Sequence, residues 1–193
     1  MAKLILASSS RYRAELLSRL GVPFTAVRPD VDESPLPDES PEALVARLAE
    51  RKARTVAAVH PDALIIGSDQ VAVCRGEVLG KPGSPDRARE QLRVLSGQTV
   101  RFLTSLCLLD GRDGRLQLDV NTTRVRFRQL TAAEIANYVA REQPIDCAGA
   151  FKSEALGVAL LDAIEGDDPN ALIGLPLIRL CAMLREAGCD VLA

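Results

Sequence analysis

Two basic residues lie on the apolar faces of predicted amphipathic helices. Arg13 is followed at i+3, i+4 and i+7 by leucines, so at about 100° per residue it falls within their stripe. Lys52 occupies the middle of a second apolar stripe. That stripe consists of Val45, Leu48, Ala49, Val56 and Val59. A buried cation needs a carboxylate partner or an anionic ligand. A carboxylate partner would satisfy one such residue, whereas two of them favour an anion site.

Three serines, Ser8, Ser9 and Ser10, separate the first predicted strand from the helix that carries Arg13. Hydroxyls and backbone N–H groups at a helix N-terminus are well suited to bind phosphate. Helix capping by Ser10 alone would require only one of the three. Because Arg13 lies one turn into the same helix, we expect it to contact the same phosphate.

Carboxylates and a further lysine complete the pattern. Asp69 ends the most apolar predicted strand, and α/β folds build sites at the carboxyl ends of strands. Glu33 lies in a proline-rich loop at residues 29–41. Two carboxylates beside phosphates indicate a divalent cation held by hard oxygen ligands. Lys81, in Gly80-Lys81-Pro82, can reach a phosphate as a point charge, although its surroundings do not match a P-loop.

Strand and helix patterns alternate along the chain, which predicts an α/β fold. The predicted strands span 3–7, 25–28, 63–68, 71–74, 77–79, 99–109 and 115–127. The predicted helices span 11–20, 41–59, 85–95, 131–141 and 175–187. There is no linker, repeat or low-complexity tract, so we expect residues 1–193 to form a single domain.

The composition argues against several functional classes. His60 is the only histidine, which disfavours a zinc site and rules out Ser-His-Asp catalysis. A net charge of −2 and 3% aromatic residues disfavour nucleic-acid binding. The N-terminal apolar run is too short for a signal or a membrane span, and five dispersed cysteines are typical of reduced cytosolic thiols. We therefore expect a cytoplasmic protein with neither nucleic-acid nor membrane partners.

Taken together, the segments resemble the Maf family of nucleotide pyrophosphatases. The matching segments are Leu4-Ile5-Leu6-Ala7-Ser8-Ser9-Ser10-x-x-Arg13, Val31-Asp32-Glu33, Ala49-x-x-Lys52-Ala53, Gly67-Ser68-Asp69-Gln70 and Gly80-Lys81-Pro82. In the second half, the chain is similar to the subgroup that acts on 7-methyl-GTP. The segments that carry this similarity are Cys147-Ala148-Gly149-x-Phe151-Lys152-Ser153-Glu154 and Gly166-x-Asp168-Pro169-Asn170-x-Leu172-x-Gly174-Leu175-Pro176.

The resemblance implies a mixed twisted sheet with helices on both sides, and two lobes around a deep nucleotide cleft, as in Maf and ITPase-like folds. It implies hydrolysis of 7-methyl-GTP to 7-methyl-GMP and diphosphate, which removes modified nucleotides. Glu33 and Asp69 would bind Mg²⁺, Mn²⁺ or Co²⁺, and Asp69 would also accept a proton from water. The residues implied to hold the phosphates are Ser8, Ser9, Ser10, Arg13, Lys52 and Lys81. The residues implied to set base specificity are Tyr12, Gln70 and Glu154.

The base specificity that this resemblance implies is physically reasonable. Methylation at N7 leaves guanine positively charged, so a Glu154 carboxylate would attract the base and Tyr12 could stack on it. Two alternatives stay open. One is a pyrophosphatase for dTTP, UTP or another non-standard nucleotide, and the other is a non-catalytic, nucleotide-binding regulator of cell division. A homodimer is compatible with either.

Overall fold

The computed structural model describes residues 3–193, which form two compact units. The first unit comprises the residues up to Asp69 together with Thr104–Asn121 and Asp168–Ala193. The second comprises Gln70–Leu103 and Thr122–Asp167. Each unit therefore combines segments that are distant in the sequence.

Strands and helices alternate as predicted. The strands are β1 (Lys3–Ala7), β2 (Phe24–Val27), β3 (Ala63–Cys74), β4 (Glu77–Leu79), β5 (Thr99–Asp110), β6 (Leu116–Phe127) and β7 (Leu161–Glu165). The α-helices are α1 (Arg11–Ser18), α2 (Pro41–Ala57), α3 (Pro85–Leu95), α4 (Ala132–Glu142) and α5 (Leu177–Glu186). Short 3-10 turns lie at Ala148–Ala150, Leu156–Leu160 and Ala171–Ile173. Within residues 3–193, the structure has no helix with the length and apolar character needed to cross a bilayer.

The sheet is mixed, as predicted. Its strand order is β2-β1-β3-β5-β6-β7, with β4 paired to β3 outside this path. β1 runs parallel to both β2 and β3. The β3–β4 and β6–β7 pairs are antiparallel.

In the first unit, alternate residues of each strand pack against helices on opposite faces. Leu4 and Leu6 of β1 belong to one buried cluster with Leu16 and Leu17 of α1 and Leu180 of α5. The intervening residues of β1 lie in a second cluster with small and β-branched residues of α2. This period of two confirms that helices cover both sides of the sheet.

In the second unit, three phenylalanines pack together in the core. The ring centroid of Phe151 lies 5.9 Å from that of Phe102 and 5.4 Å from that of Phe127. α4 begins with a capping box, in which the Thr131 N–H donates to Glu134 Oε2 at 2.8 Å and the Glu134 N–H donates to Thr131 Oγ1 at 3.3 Å. The cap fixes where this helix starts.

Three details of the prediction are wrong. Asp69 does not end its strand, because β3 continues to Cys74 and the Asp69 N–H is bonded to the Ser105 hydroxyl. Val59 is not part of the α2 stripe, since the helix ends at Ala57 and Val59 is 68% exposed. Strand β7 was not predicted, and its largely exposed residues lie at the edge of the sheet, where burial imposes little apolar pattern.

Candidate active site

The loop between β1 and α1 places serine hydroxyls beside the guanidinium of Arg13. Ser8 is buried, and its Oγ accepts a hydrogen bond from the Ser10 N–H at 3.1 Å. Ser10 caps α1 by accepting the Arg13 N–H at 3.4 Å. Arg13 Nη1 lies 3.4 Å from Ser8 Oγ, while Ser9 is exposed. Ser10 therefore has the ordinary capping role, and Ser8 is the serine that contacts Arg13.

The direction of the Arg13 side chain is set by a backbone carbonyl. Arg13 Nε donates to the Gly174 carbonyl oxygen at 2.9 Å, and the Ser68 hydroxyl donates to the same oxygen at 3.0 Å. Gly174 has φ of 129°, a conformation that glycine adopts most readily. This carbonyl links α1, β3 and the loop before α5.

A buried carboxylate holds the loop that carries Gly174. Asp168 Oδ2 accepts the Ile178 N–H at 2.6 Å in the first turn of α5, and its Oδ1 accepts the Asn170 N–H at 2.9 Å. A carboxylate is favourable at a helix N-terminus, where backbone N–H groups lack partners. Asp168 thereby stabilises the segment between itself and α5.

A single lysine bridges two carboxylates in the first unit. Lys52 is 5% exposed, and its Nζ lies 2.6 Å from Asp69 Oδ1 and 2.7 Å from Glu33 Oε1. Asp69 is itself 8% exposed, whereas the Glu33 side chain is 57% exposed. The contacts satisfy the buried ammonium and hold a buried carboxylate next to one that solvent reaches.

Backbone contacts place Asp69 at the carboxyl end of β1, although it lies within β3. The register pairs Leu6 with Ile66, so Asp69 lies past the last residue of β1 that pairs with β3. The Ser105 hydroxyl accepts the Asp69 N–H at 3.1 Å and donates to the Val45 carbonyl at 2.6 Å. Ser105 therefore connects β3, β5 and α2 at the site.

The same two carboxylates act on Arg13. Burial lowers the pKa of the Arg13 guanidinium, and the negative charges of Asp69 and Glu33 oppose this effect. The charge of Arg13 is therefore partly balanced by the carboxylates that pair with Lys52. The structure thus brings four predicted residues of the first unit into one electrostatic neighbourhood.

Glu33 and Asp69 are suited to a divalent cation. Their oxygens contact the same ammonium nitrogen, and Mg²⁺ and Mn²⁺ prefer hard oxygen ligands of this kind. Across residues 3–193, no cluster of three or more His, Cys, Asp or Glu side chains is arranged to hold a metal. The other ligands would then come from substrate phosphates and water, as is common for Mg²⁺.

The aromatic ring of Tyr12 lies against the side chain of the preceding arginine. The Arg11 guanidinium lies 4.8 Å from the centroid of the Tyr12 ring, and Arg11 Nη2 donates to the Tyr12 hydroxyl at 2.8 Å. One face of the Tyr12 ring therefore lies against a planar cation.

The remaining predicted residues, Lys81, Gln70 and Glu154, belong to the second unit. Lys81 is exposed in the segment between β4 and α3, Gln70 is half-buried in β3, and Glu154 is exposed. The neighbouring Gly80 carbonyl accepts hydrogen bonds from the Gln91 side chain at 3.2 Å and from the Gly149 N–H at 3.4 Å. These bonds fix the backbone beside Lys81.

The profile described as Maf-like protein matches residues 3–187. The chain belongs to the Maf family. A relative from Nitrosococcus oceani, named 7-methyl-GTP pyrophosphatase, is 60% identical over 98% of this chain and 95% of its own. A relative of the same name from Cupriavidus pinatubonensis is 56% identical, covering 97% of this chain and 94% of its own.

A third relative with that name, from Chromohalobacter salexigens, is 54% identical and covers 100% of both chains. Among solved structures, the Staphylococcus aureus Ham1 protein aligns with 65% of this chain and 71% of its own, at 14% identity and a TM-score of 0.48. The three relatives named 7-methyl-GTP pyrophosphatase thus match this chain over nearly its whole length.

Proposed function

We propose that this Maf-family chain hydrolyses 7-methyl-GTP to 7-methyl-GMP and diphosphate. The observation that carries the proposal is the buried Lys52 ammonium held between Asp69 and Glu33, with Arg13 in the field of the same carboxylates. Relatives named 7-methyl-GTP pyrophosphatase, at 54–60% identity over nearly the whole chain, support the choice of substrate.

The basic side chains of the site bind the triphosphate. Arg13 presents a planar fork of N–H donors to phosphate oxygens, and Ser8, Ser9 and Ser10 add hydroxyls and backbone N–H groups beside it. Lys52 and Lys81 act as point charges. Together they neutralise the negative charge that develops on the departing diphosphate, which lowers the barrier to cleavage.

Asp69 accepts a proton from the attacking water. The water oxygen forms a bond to the α-phosphorus, the bond from the α-phosphorus to the bridging oxygen breaks, and diphosphate leaves with that oxygen. Glu33 and Asp69 would hold a divalent cation (Mg²⁺, Mn²⁺ or Co²⁺), which would supply further charge neutralisation to the phosphates. No covalent intermediate with the protein is required.

Tyr12, Gln70 and Glu154 select the base. N7-methylation gives guanine a positive charge, which favours a carboxylate partner and an aromatic ring face. The contact between Arg11 and the Tyr12 ring supports this assignment, because a planar cation already lies against the ring face.

We also propose a cytoplasmic location, which the free thiols of all five cysteines support. Assembly as a homodimer is compatible with the proposed activity. The competing proposals are hydrolysis of dTTP, UTP or another non-standard nucleotide, and a role as a non-catalytic regulator of cell division.

Replacing Asp69 tests the catalytic assignment. Asp69→Asn should lower kcat by about 10²–10⁴-fold, because the general base is lost, while nucleotide binding is largely retained. The matched control is Asp110→Asn, which alters another buried carboxylate of the first unit, one that is paired with Arg112. An active Asp69→Asn protein would remove Asp69 from the role of base.

A further inference from the structure

The loop that carries Glu154 is bonded to α4 on both sides of that residue. On one side, the Lys152 N–H donates to the Tyr138 hydroxyl oxygen at 3.0 Å. On the other, the Leu156 N–H donates to Glu142 Oε1 at 3.3 Å. Both acceptors lie in the second half of α4, so one rigid helix sets the positions of the residues that flank Glu154.

The Lys152 side chain adds a third bond to the same helix. Its ammonium donates to the main-chain carbonyl of Glu142, the last residue of α4. Carbonyls at a helix C-terminus lack intrahelical partners and carry partial negative charge, so a lysine is favourable there. The Lys152 side chain is 11% exposed, and its charge is therefore used to anchor the loop.

The anchoring groups are themselves held firmly. Tyr138 is buried, and burial raises the pKa of its hydroxyl, so the group stays neutral and accepts the Lys152 N–H. The loop also closes on itself at Gly157, where an added Cβ would clash with the Lys152 carbonyl and lie 2.6 Å from Phe151 Cε2. Little freedom remains for the backbone around Glu154.

We propose that Tyr138 and Glu142 are positioning residues for base selection, which act by holding the Glu154 carboxylate in place. This inference rests on the proposed function, in which Glu154 recognises the methylated base. The Glu154 side chain is exposed, and its Oε2 accepts a hydrogen bond from the Ser153 hydroxyl of the same loop at 3.4 Å. The position of this carboxylate, and with it the selectivity, therefore depends on how well the loop backbone is fixed.

The test measures kcat/KM for 7-methyl-GTP and for GTP, and uses their ratio as the selectivity. Tyr138→Phe keeps the buried ring but removes the acceptor, and it should lower this ratio by about two- to fivefold, the effect of one hydrogen bond. In a Glu154→Gln background, Tyr138→Phe should change the ratio no further, because both substitutions act through the same group.

Glu142 gives an independent pair of variants. Glu142→Ala removes the acceptor for the Leu156 N–H and should lower the ratio, whereas Glu142→Gln keeps an acceptor oxygen and should restore it. Thermal unfolding of each variant separates a change in stability from a change in selectivity.

The outcomes are distinguishable. If Tyr138→Phe and Glu142→Ala lower only the unfolding temperature and leave the ratio unchanged, the two residues are merely structural and the inference is overturned. An equal effect of Tyr138→Phe with and without Glu154 would also overturn it. If Glu154→Gln alone leaves the ratio unchanged, the base-recognition role in the proposed function fails, and this inference fails with it.

Discussion

Gly67 of β3 lies directly against the backbone of Ala49 in α2, with no room for a side chain between them. An added Cβ at Gly67 would clash with the Ala49 carbonyl oxygen and lie 3.1 Å from the Ala53 Cβ. Lys52 shares the helix face of Ala49 and Ala53, and Asp69 shares the strand face of Gly67. The close approach of helix and strand is therefore what brings the Lys52 ammonium to the Asp69 carboxylate.

Gly67→Ala should loosen this contact. We expect it to lower the free energy of unfolding by about 1–3 kcal/mol through overpacking. It should also reduce turnover, because α2 must move away from β3. Gly80→Ala is the control in denaturant unfolding, since a Cβ there would have nothing within 4 Å and its φ is not left-handed. Equal stability of the two variants would contradict this account.

Arg13→Lys keeps the positive charge but loses the geometry of the guanidinium. A lysine cannot donate to the Gly174 carbonyl and a phosphate through the same planar fork. We expect kcat/KM to fall by about 10- to 100-fold through misplacement of the phosphate. Steady-state kinetics provide the measurement, and Arg19→Lys, an exposed change just after α1, is the control. Wild-type kinetics for Arg13→Lys would show that charge alone is sufficient.

The capping box of α4 predicts a specific pH dependence of stability. The pKa of Glu134 is lowered to about 2. The largest cause is the hydrogen bond from the Thr131 N–H, and the next largest is the hydrogen bond from the Arg128 side chain. Because the folded pKa lies below the unfolded value, this stabilisation is present above about pH 4.5 and is lost as the pH falls toward about 2. Glu134→Gln keeps an acceptor oxygen but cannot titrate.

The measurement is urea unfolding of wild type and Glu134→Gln between about pH 2 and pH 7. The stability advantage of the wild type should be largest near neutral pH and shrink in acid. A constant difference across this range would mean that the Glu134 charge contributes nothing to the folded state.

The sequence specified the elements whose signals are local. β1 and α3 were predicted with their observed bounds, and in the structure Ser84 caps α3 with Pro85 in its first turn, a purely local start. β7 has no such signal, since its identity as a strand depends on pairing with β6 across a distant part of the chain. The continuation of β3 through Asp69 was missed for a related reason: the Ser105 and Lys52 contacts that satisfy this buried polar residue are non-local.

In the candidate site, too, some features could be predicted from local sequence patterns, and others depend on contacts between distant residues. Helical periodicity was sufficient to place Arg13 and Lys52 on inward faces, because side-chain direction follows from the helix itself. The Gly174 carbonyl and the Asp168 carboxylate act on residues far away in the sequence, and a backbone oxygen carries no residue-type signal. Gly174 stood within a matched segment, yet only the structure shows which atoms its carbonyl contacts.

The most direct test of the central proposal is diphosphate release from a panel of nucleotides by the purified chain with Mg²⁺ or Mn²⁺. The panel comprises 7-methyl-GTP, GTP, dTTP and UTP, and the Asp69→Asn protein controls for contaminating activity. We predict the highest kcat/KM for 7-methyl-GTP, with 7-methyl-GMP as the second product. Preference for dTTP or UTP would contradict the assigned base, and no release from any nucleotide would contradict the enzymatic function itself.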